Sequence, residues 1–96
     1  MQIAKVIGTT VSSVKDERLE GSKLMLVCPA DEHGEVTGPS YVALDKVGAG
    51  QGELVFVVQG SSARFAAGNA NTPVDAAIIG IFDSMAVHGE TTYHKG

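Results

Sequence analysis

Residues 45–64 read DKVGAGQGELVFVVQGSSAR, and the rest of the chain can be placed around them. Gly48, Gly50 and Gly52 stand at alternate positions ahead of Glu53. Glycine takes positive φ and admits close backbone approach at a cost in chain entropy, so this spacing marks a loop whose shape matters beyond closing a hairpin. Leu54-Val55-Phe56-Val57-Val58 then runs apolar on both faces. A half-buried strand would alternate; this run reads as a central strand with neither face in water. In so small a protein, one of those faces is open to coverage by another subunit. A second turn, Gly60-Ser61-Ser62, ends the stretch.

Beyond it, residues 61–67 (SSARFAA) read as a short helix with Ser61 or Ser62 as N-cap and Gly68 as its stop. Asn69 to Pro73 is a turn. Val74 to Met85 is a fifth apolar run, long enough for a helix of three turns; Ile78, Ile79, Ile81 and Phe82 around Gly80 favour a buried strand. A last strand is expected around Thr91-Thr92-Tyr93. On the N-terminal side, Tyr41 to Asp45 forms a third strand feeding the glycine turn, and the acidic, glycine-broken segment Ala30 to Ser40 a loop or hairpin excursion. Lys23 to Cys28 is a second strand ended by Pro29, which cannot donate to a ladder. Leu24, Leu26 and Cys28 share one of its faces, Met25 and Val27 the other. Gln2 to Val14 is rich in β-branched residues, with Gly8 where a strand bends or bulges. Lys15 to Gly21 reads as an exposed connection, with room for one helical turn stopped by Gly21.

Five or six short strands with one short helix describe a mostly β protein, a small closed OB-like β-barrel formed by residues 1–96 as a single domain. Closure suits a short chain because it removes aggregation-prone edges. The helix falls between the fourth and fifth strands, whereas the OB-fold usually carries one between its third and fourth.

Composition excludes several functions. Net charge is −4, and the seven basic residues are scattered. Nucleic-acid and anionic-membrane binding both need a positive footprint that is missing here. Five aromatics, with no stacking pair on one strand, argue the same way against single-strand binding. The single Cys28 has no internal disulfide partner, and no apolar run approaches the length of a membrane span, so a cytoplasmic protein is expected. Charged residues make up 19% and glycines number 12, which fits a domain with much of its surface in subunit contacts, and equally a turn-rich β protein.

No catalytic or metal-binding constellation emerges. The glycines fall as G-x-G-x-G and open a strand, whereas a dinucleotide fingerprint needs G-x-G-x-x-G opening a helix. Gly60-Ser61-Ser62-Ala63-Arg64 lacks the G-x-S-x-G spacing of a nucleophile elbow. His33, His88, His94 and Cys28 show no ligand spacing. Asp75 and Asp83 lie about 27 Å apart along an extended strand, too far for a carboxylate pair. Arg64, whose planar fork suits a carboxylate or backbone carbonyls at an interface, is the one polar side chain singled out. No enzyme activity, cofactor or metal is expected.

Five blocks resemble one family in order and spacing. They are Met1-x-Ile3-Ala4-x-Val6-x-Gly8, Leu19-Glu20-Gly21-x-Lys23-Leu24-Met25, Asp45-x-Val47-Gly48-Ala49-Gly50-x-Gly52-Glu53, Gly60-Ser61-Ser62-Ala63-Arg64 and the run from Pro73 to Ile81. The chain from Met1 to about Ser84 is similar to the bacterial microcompartment vertex proteins, the EutN/CcmL family; Asp31 to Gly38 and the tail after Met85 match poorly. The resemblance implies a β-barrel protomer that self-assembles into a ring, usually a pentamer. That ring would cap the vertices of a polyhedral, carboxysome-like shell beside hexameric shell proteins. It implies that Gly48, Ala49, Gly50, Gly52 and Glu53, with Gly60, Ser61, Ser62 and Arg64, lie at the subunit interface or ring axis. Arg64 or Glu53 would make a polar contact across the subunit boundary. The alternative is an OB-like module binding nucleic acid or a small ligand.

Overall fold

A computed structural model describes residues 1–10, 23–68 and 74–95. The elements are β1 (Gln2–Thr9), β2 (Lys23–Pro29), β3 (Tyr41–Asp45), β4 (Leu54–Gln59), α1 (Ser61–Ala67), β5 (Ala76–Ile81), β6 (Ser84–Val87) and β7 (Glu90–His94). The first five strands close a barrel in the order β1-β2-β3-β5-β4, shut by β1 on β4 with Gln2 opposite Val57 and Lys5 opposite Leu54. Every pair in it is antiparallel except β3 and β5, which run parallel. Parallel neighbours need a long crossover, and β4 with α1 supplies it. The helix therefore falls between the fourth and fifth strands, as expected. The expected turn at Asn69 to Pro73, the connection Lys15 to Gly21 and the end of the first apolar run lie outside the described residues.

Alternation along each strand sorts the side chains. Ala4, Val6, Met25, Val27, Ala43, Val55, Val57 and Ile78 fill the barrel, with Ala49 reaching in from the β3–β4 turn. A five-stranded barrel is narrow, so its interior mixes alanine with branched residues. A second cluster lies outside the wall: Leu44, Val58 and Ala77 receive Ala63 of α1, with Leu24, Ala66 and Ala67 around it. The small Ala63 lets the helix lie close against the sheet. Cys28 is buried and unpaired in a disulfide.

The strong reading of β4 holds: Leu54, Val55, Val57 and Val58 are buried. Much of its outer face is covered by the chain itself. Val58 lies under α1. Phe56 meets Phe82, with ring centroids 3.8 Å apart. Leu54, at 0% exposure, is closed over by the loop at Gly34 and by Tyr93 of β7; a Cβ placed on Gly34 would stand 3.4 Å from Leu54 Cδ1 and 3.5 Å from the Tyr93 ring.

Three boundaries differ from expectation. Ser61 and Ser62 do not cap α1: Gly60 holds the N-cap position at φ 64°, ψ −136°, and no side chain caps the helix. The chain reverses from strand to helix in one residue, and only glycine takes that positive φ without strain, whereas a capping serine would need an ordinary β-region φ. Gly68 does stop the helix, its N–H donating to the carbonyls of Arg64 and Phe65. The fifth apolar run is a strand over Ala76–Ile81 only; Phe82 N–H still reaches the Leu54 carbonyl at 2.9 Å, and β6 begins at Ser84. Residues 84–94 then form a separate two-stranded sheet, β6 with β7; of the seven strands among the described residues, five close the barrel, within the expected five to six.

Gly8 marks a bulge, as its sequence position predicts. Val6 opposes Val27 and Gly8 opposes Leu26, leaving Ile7 without a partner. The loop between β2 and β3 is a small hairpin excursion, bridged between Ala30 and Val36. Inside it the Asp31 carboxylate accepts the N–H groups of His33 and Glu35 at 2.9 and 3.0 Å. Those donated bonds hold its pKa below the usual carboxylate range.

Candidate subunit-contact site

The glycine turn is a self-capped loop. Asp45 Oδ1 accepts the N–H groups of Val47 and Gly48 at 3.0 Å each, and Oδ2 accepts that of Ala49 at 2.9 Å. Glu53 Oε1 accepts the Gly50 N–H, and Oε2 pairs with Lys95 Nζ at 3.0 Å. The Gly50 hydrogen bond, then Lys95, lowers the Glu53 pKa. Gly48 and Gly52 sit at φ 77° and 89°, where side chains are strained. Gly50 serves close approach: a Cβ there would stand 3.1 Å from Glu53 Oε1. The turn is fastened to β1 by Gly52 N–H to the Val6 carbonyl (2.7 Å) and Val6 N–H to the Glu53 carbonyl (3.0 Å).

This geometry bears on ligand chemistry. A phosphate cradle works by aiming consecutive free N–H groups at an anion. Here the four from Val47 to Gly50 are already taken by the chain's own carboxylates. What the turn offers outward is a surface of Lys46, Val47, Gly48, Gln51 and Gly52.

At the other end of β4, Gly60 N–H donates to the Asp75 carbonyl at 2.9 Å and its own carbonyl accepts from Arg64 N–H at 3.2 Å. Ser61 and Ser62 face solvent, Ala63 is buried and Arg64 is half-buried. The two segments expected at the subunit boundary are thus separated by the length of β4, roughly 20 Å for an extended strand of this size. The structure does not gather them into one cluster; a contact including both must run the length of that strand.

Arg64 takes no part in the Lys95–Glu53 ion pair, nor in the contact of His33 Nε2 with the Glu32 carboxylate at 3.7 Å. No group of His, Cys, Asp and Glu among the described residues is arranged to hold a metal ion, and no described helix is long and apolar enough to cross a membrane. Sequence reasoning missed the tail clasp. Besides the Lys95–Glu53 pair, the Thr92 hydroxyl donates to the Glu32 carbonyl and Lys95 N–H to that of Asp83. The signal for this hairpin was His88-Gly89, both at positive φ as a type I′ turn requires.

The family model described as "Ethanolamine utilisation protein EutN/carboxysome" matches residues 1–83. The carboxysome shell vertex protein CcmL of Nostoc sp. PCC 7120 is 47% identical over 96 residues, spanning 99% of this chain and 95% of the relative. GrpN of Rhodospirillum rubrum, named a bacterial microcompartment shell vertex protein, is 46% identical over 85 residues, or 88% of this chain and 96% of its own. A solved structure of GrpN, described as a pentameric microcompartment shell protein, superposes with a TM-score of 0.80 at 44% identity, covering 91% of this chain and 99% of that one. A solved ethanolamine utilization protein EutN superposes with a TM-score of 0.93 at 41% identity, covering 99% of both chains.

Proposed function

The chain belongs to the EutN/CcmL family, and on that premise we propose that it is a structural shell protein whose pentameric ring caps the vertices of a bacterial microcompartment. The observation that carries this is the superposition, over nine-tenths of the chain, on a relative solved as a pentameric shell protein. A shell tiled by hexagons extends as a sheet or tube, and pentagonal units supply the curvature that closes it. A ring built from one chain joins two different patches of each copy, one to each neighbour.

The role is non-enzymatic, and the assembly partners are hexameric shell proteins; neither nucleic acid nor a membrane takes part. Within the ring, the glycine turn (Gly48, Ala49, Gly50, Gly52, Glu53) and the segment Gly60, Ser61, Ser62, Arg64 lie at subunit contacts or near the axis. Arg64 reaches across the boundary in preference to Glu53, since both Glu53 oxygens already have partners within the chain. Arg64→Ala is expected to weaken the ring without unfolding the barrel, and an unchanged ring on a sizing column removes that assignment.

The functional test is shell closure. Co-expressed with hexameric shell proteins, this chain should yield closed polyhedra by electron microscopy, and its omission should leave sheets, tubes or open shells. Polyhedra that close equally well without it overturn the proposal.

A further inference from the structure

Among the exposed large apolar side chains of the described residues, Ile7, Val42 and Phe65 form two surfaces of opposite shape. On the outer barrel wall Gly8 of β1, Leu26 of β2 and Val42 of β3 are direct cross-strand neighbours, and the bulge turns Ile7 out beside them. The next residues of the same wall, Leu24 and Leu44, pack with α1. The row itself is open: Val42 is 46% exposed and Ile7 38%. At its β1 end is a notch, because no atom of the described residues stands within 4 Å of where a Cβ on Gly8 would lie. The second surface is Phe65, 66% exposed on α1. It lies two positions beyond the buried Ala63, hence on the opposite side of the helix.

Single exposed apolar side chains are ordinary, but these two surfaces complement each other. One is a projecting aromatic; the other is a flat apolar row with a glycine gap, the kind of strand position that an aromatic ring covers well. A cyclic ring requires two unlike, matching patches on every copy. We propose that Phe65 of each copy seats over Gly8 on the Ile7–Leu26–Val42 row of the next copy in the ring. This rests on the pentameric reading above and adds the apolar contact that holds it.

The test is sedimentation velocity over a dilution series on the full chain, comparing wild type with Phe65→Lys, Val42→Glu, the double variant and Gly8→Leu. All three positions are surface sites with room, and circular dichroism checks that each variant is folded. If the contact is an energetic anchor, each single change raises the half-dissociation concentration about thirtyfold or more. The double variant sets Lys against Glu at every boundary and recovers pentamers, which a merely general loss of surface apolarity would not do. Single variants as pentameric as wild type, or a double variant as dissociated as the singles, overturn this contact and leave the pentameric reading standing. A wild-type chain that is monomeric at every concentration overturns that reading, and this contact with it.

Discussion

Gly80→Ala tests the packing on the outer face of β4. Gly80 pairs with Phe56 across the β4–β5 ladder, at a register shift that leaves Ile79 as the extra residue. A Cβ at Gly80 would lie 2.7 Å from Phe56 Cδ2 and 3.4 Å from Cε2, so the ring must move. It has little freedom to do so, since Phe82 stacks against it with centroids 3.8 Å apart and planes inclined by 39°. Overpacking of this kind costs about 1–3 kcal/mol. Restricting the unfolded chain returns about 0.5–1 kcal/mol, because Gly80 holds an ordinary negative-φ strand conformation that alanine can adopt. The net expectation is destabilisation by about 1–2 kcal/mol, or a fall in Tm of about 5–15 °C in a domain of this size. Melting should be compared at one fixed protein concentration, because association makes Tm concentration-dependent. In a Phe56→Leu background the clash disappears, so adding Gly80→Ala there should cost almost nothing, a coupling of about 1 kcal/mol or more. A Gly80→Ala chain melting at or above wild type refutes the reasoning.

Other expectations concern the turn and the tail. Asp45→Ala leaves three turn N–H groups without their carboxylate and should cost about 1–3 kcal/mol by urea unfolding, with Asp45→Asn recovering part of it. The Glu53 carboxyl, lowered below its ordinary 4.5 by the Gly50 N–H and then Lys95, contributes stability that is present in full above that value and is lost as pH falls through the lowered folded value. Melts recorded downward from neutral pH should therefore show an acid limb that Glu53→Gln flattens; an identical limb contradicts the assignment. His88→Asn, at φ 53° before Gly89, places a residue that favours left-handed backbone in the I′ turn. It should stabilise the hairpin by about 0.5 kcal/mol, read as slower amide exchange in β6 and β7.

The parts legible in the sequence were those specified by neighbours along the chain. Leu54 to Val58 announces a doubly buried strand because alternation is missing, and Gly8 announces a bulge within a β-branched run. What covers β4 was not legible: Phe82, Gly34 and Tyr93 come from segments distant in sequence, and α1 was read as a helix with no indication of the wall it would cover. The serine cap failed because a local preference met a tertiary demand, the strand-to-helix reversal that needs a positive φ at Gly60. The β6–β7 hairpin is short and largely polar, so its period is faint, and its anchor through Lys95 joins residues 42 positions apart. For the candidate site, the glycine turn was recognised as shaped. The engagement of Asp45 and Glu53 with its N–H groups, which removes the phosphate-binding reading, needs side-chain geometry. The two interface segments were legible as motifs, but not their separation along β4.

The central claim is a ring of five copies, and the solution mass tests it most directly. Light scattering behind a sizing column should give five times the 9.9 kDa chain, about 50 kDa, holding steady across protein concentrations. A stable species at the mass of one chain would contradict the account.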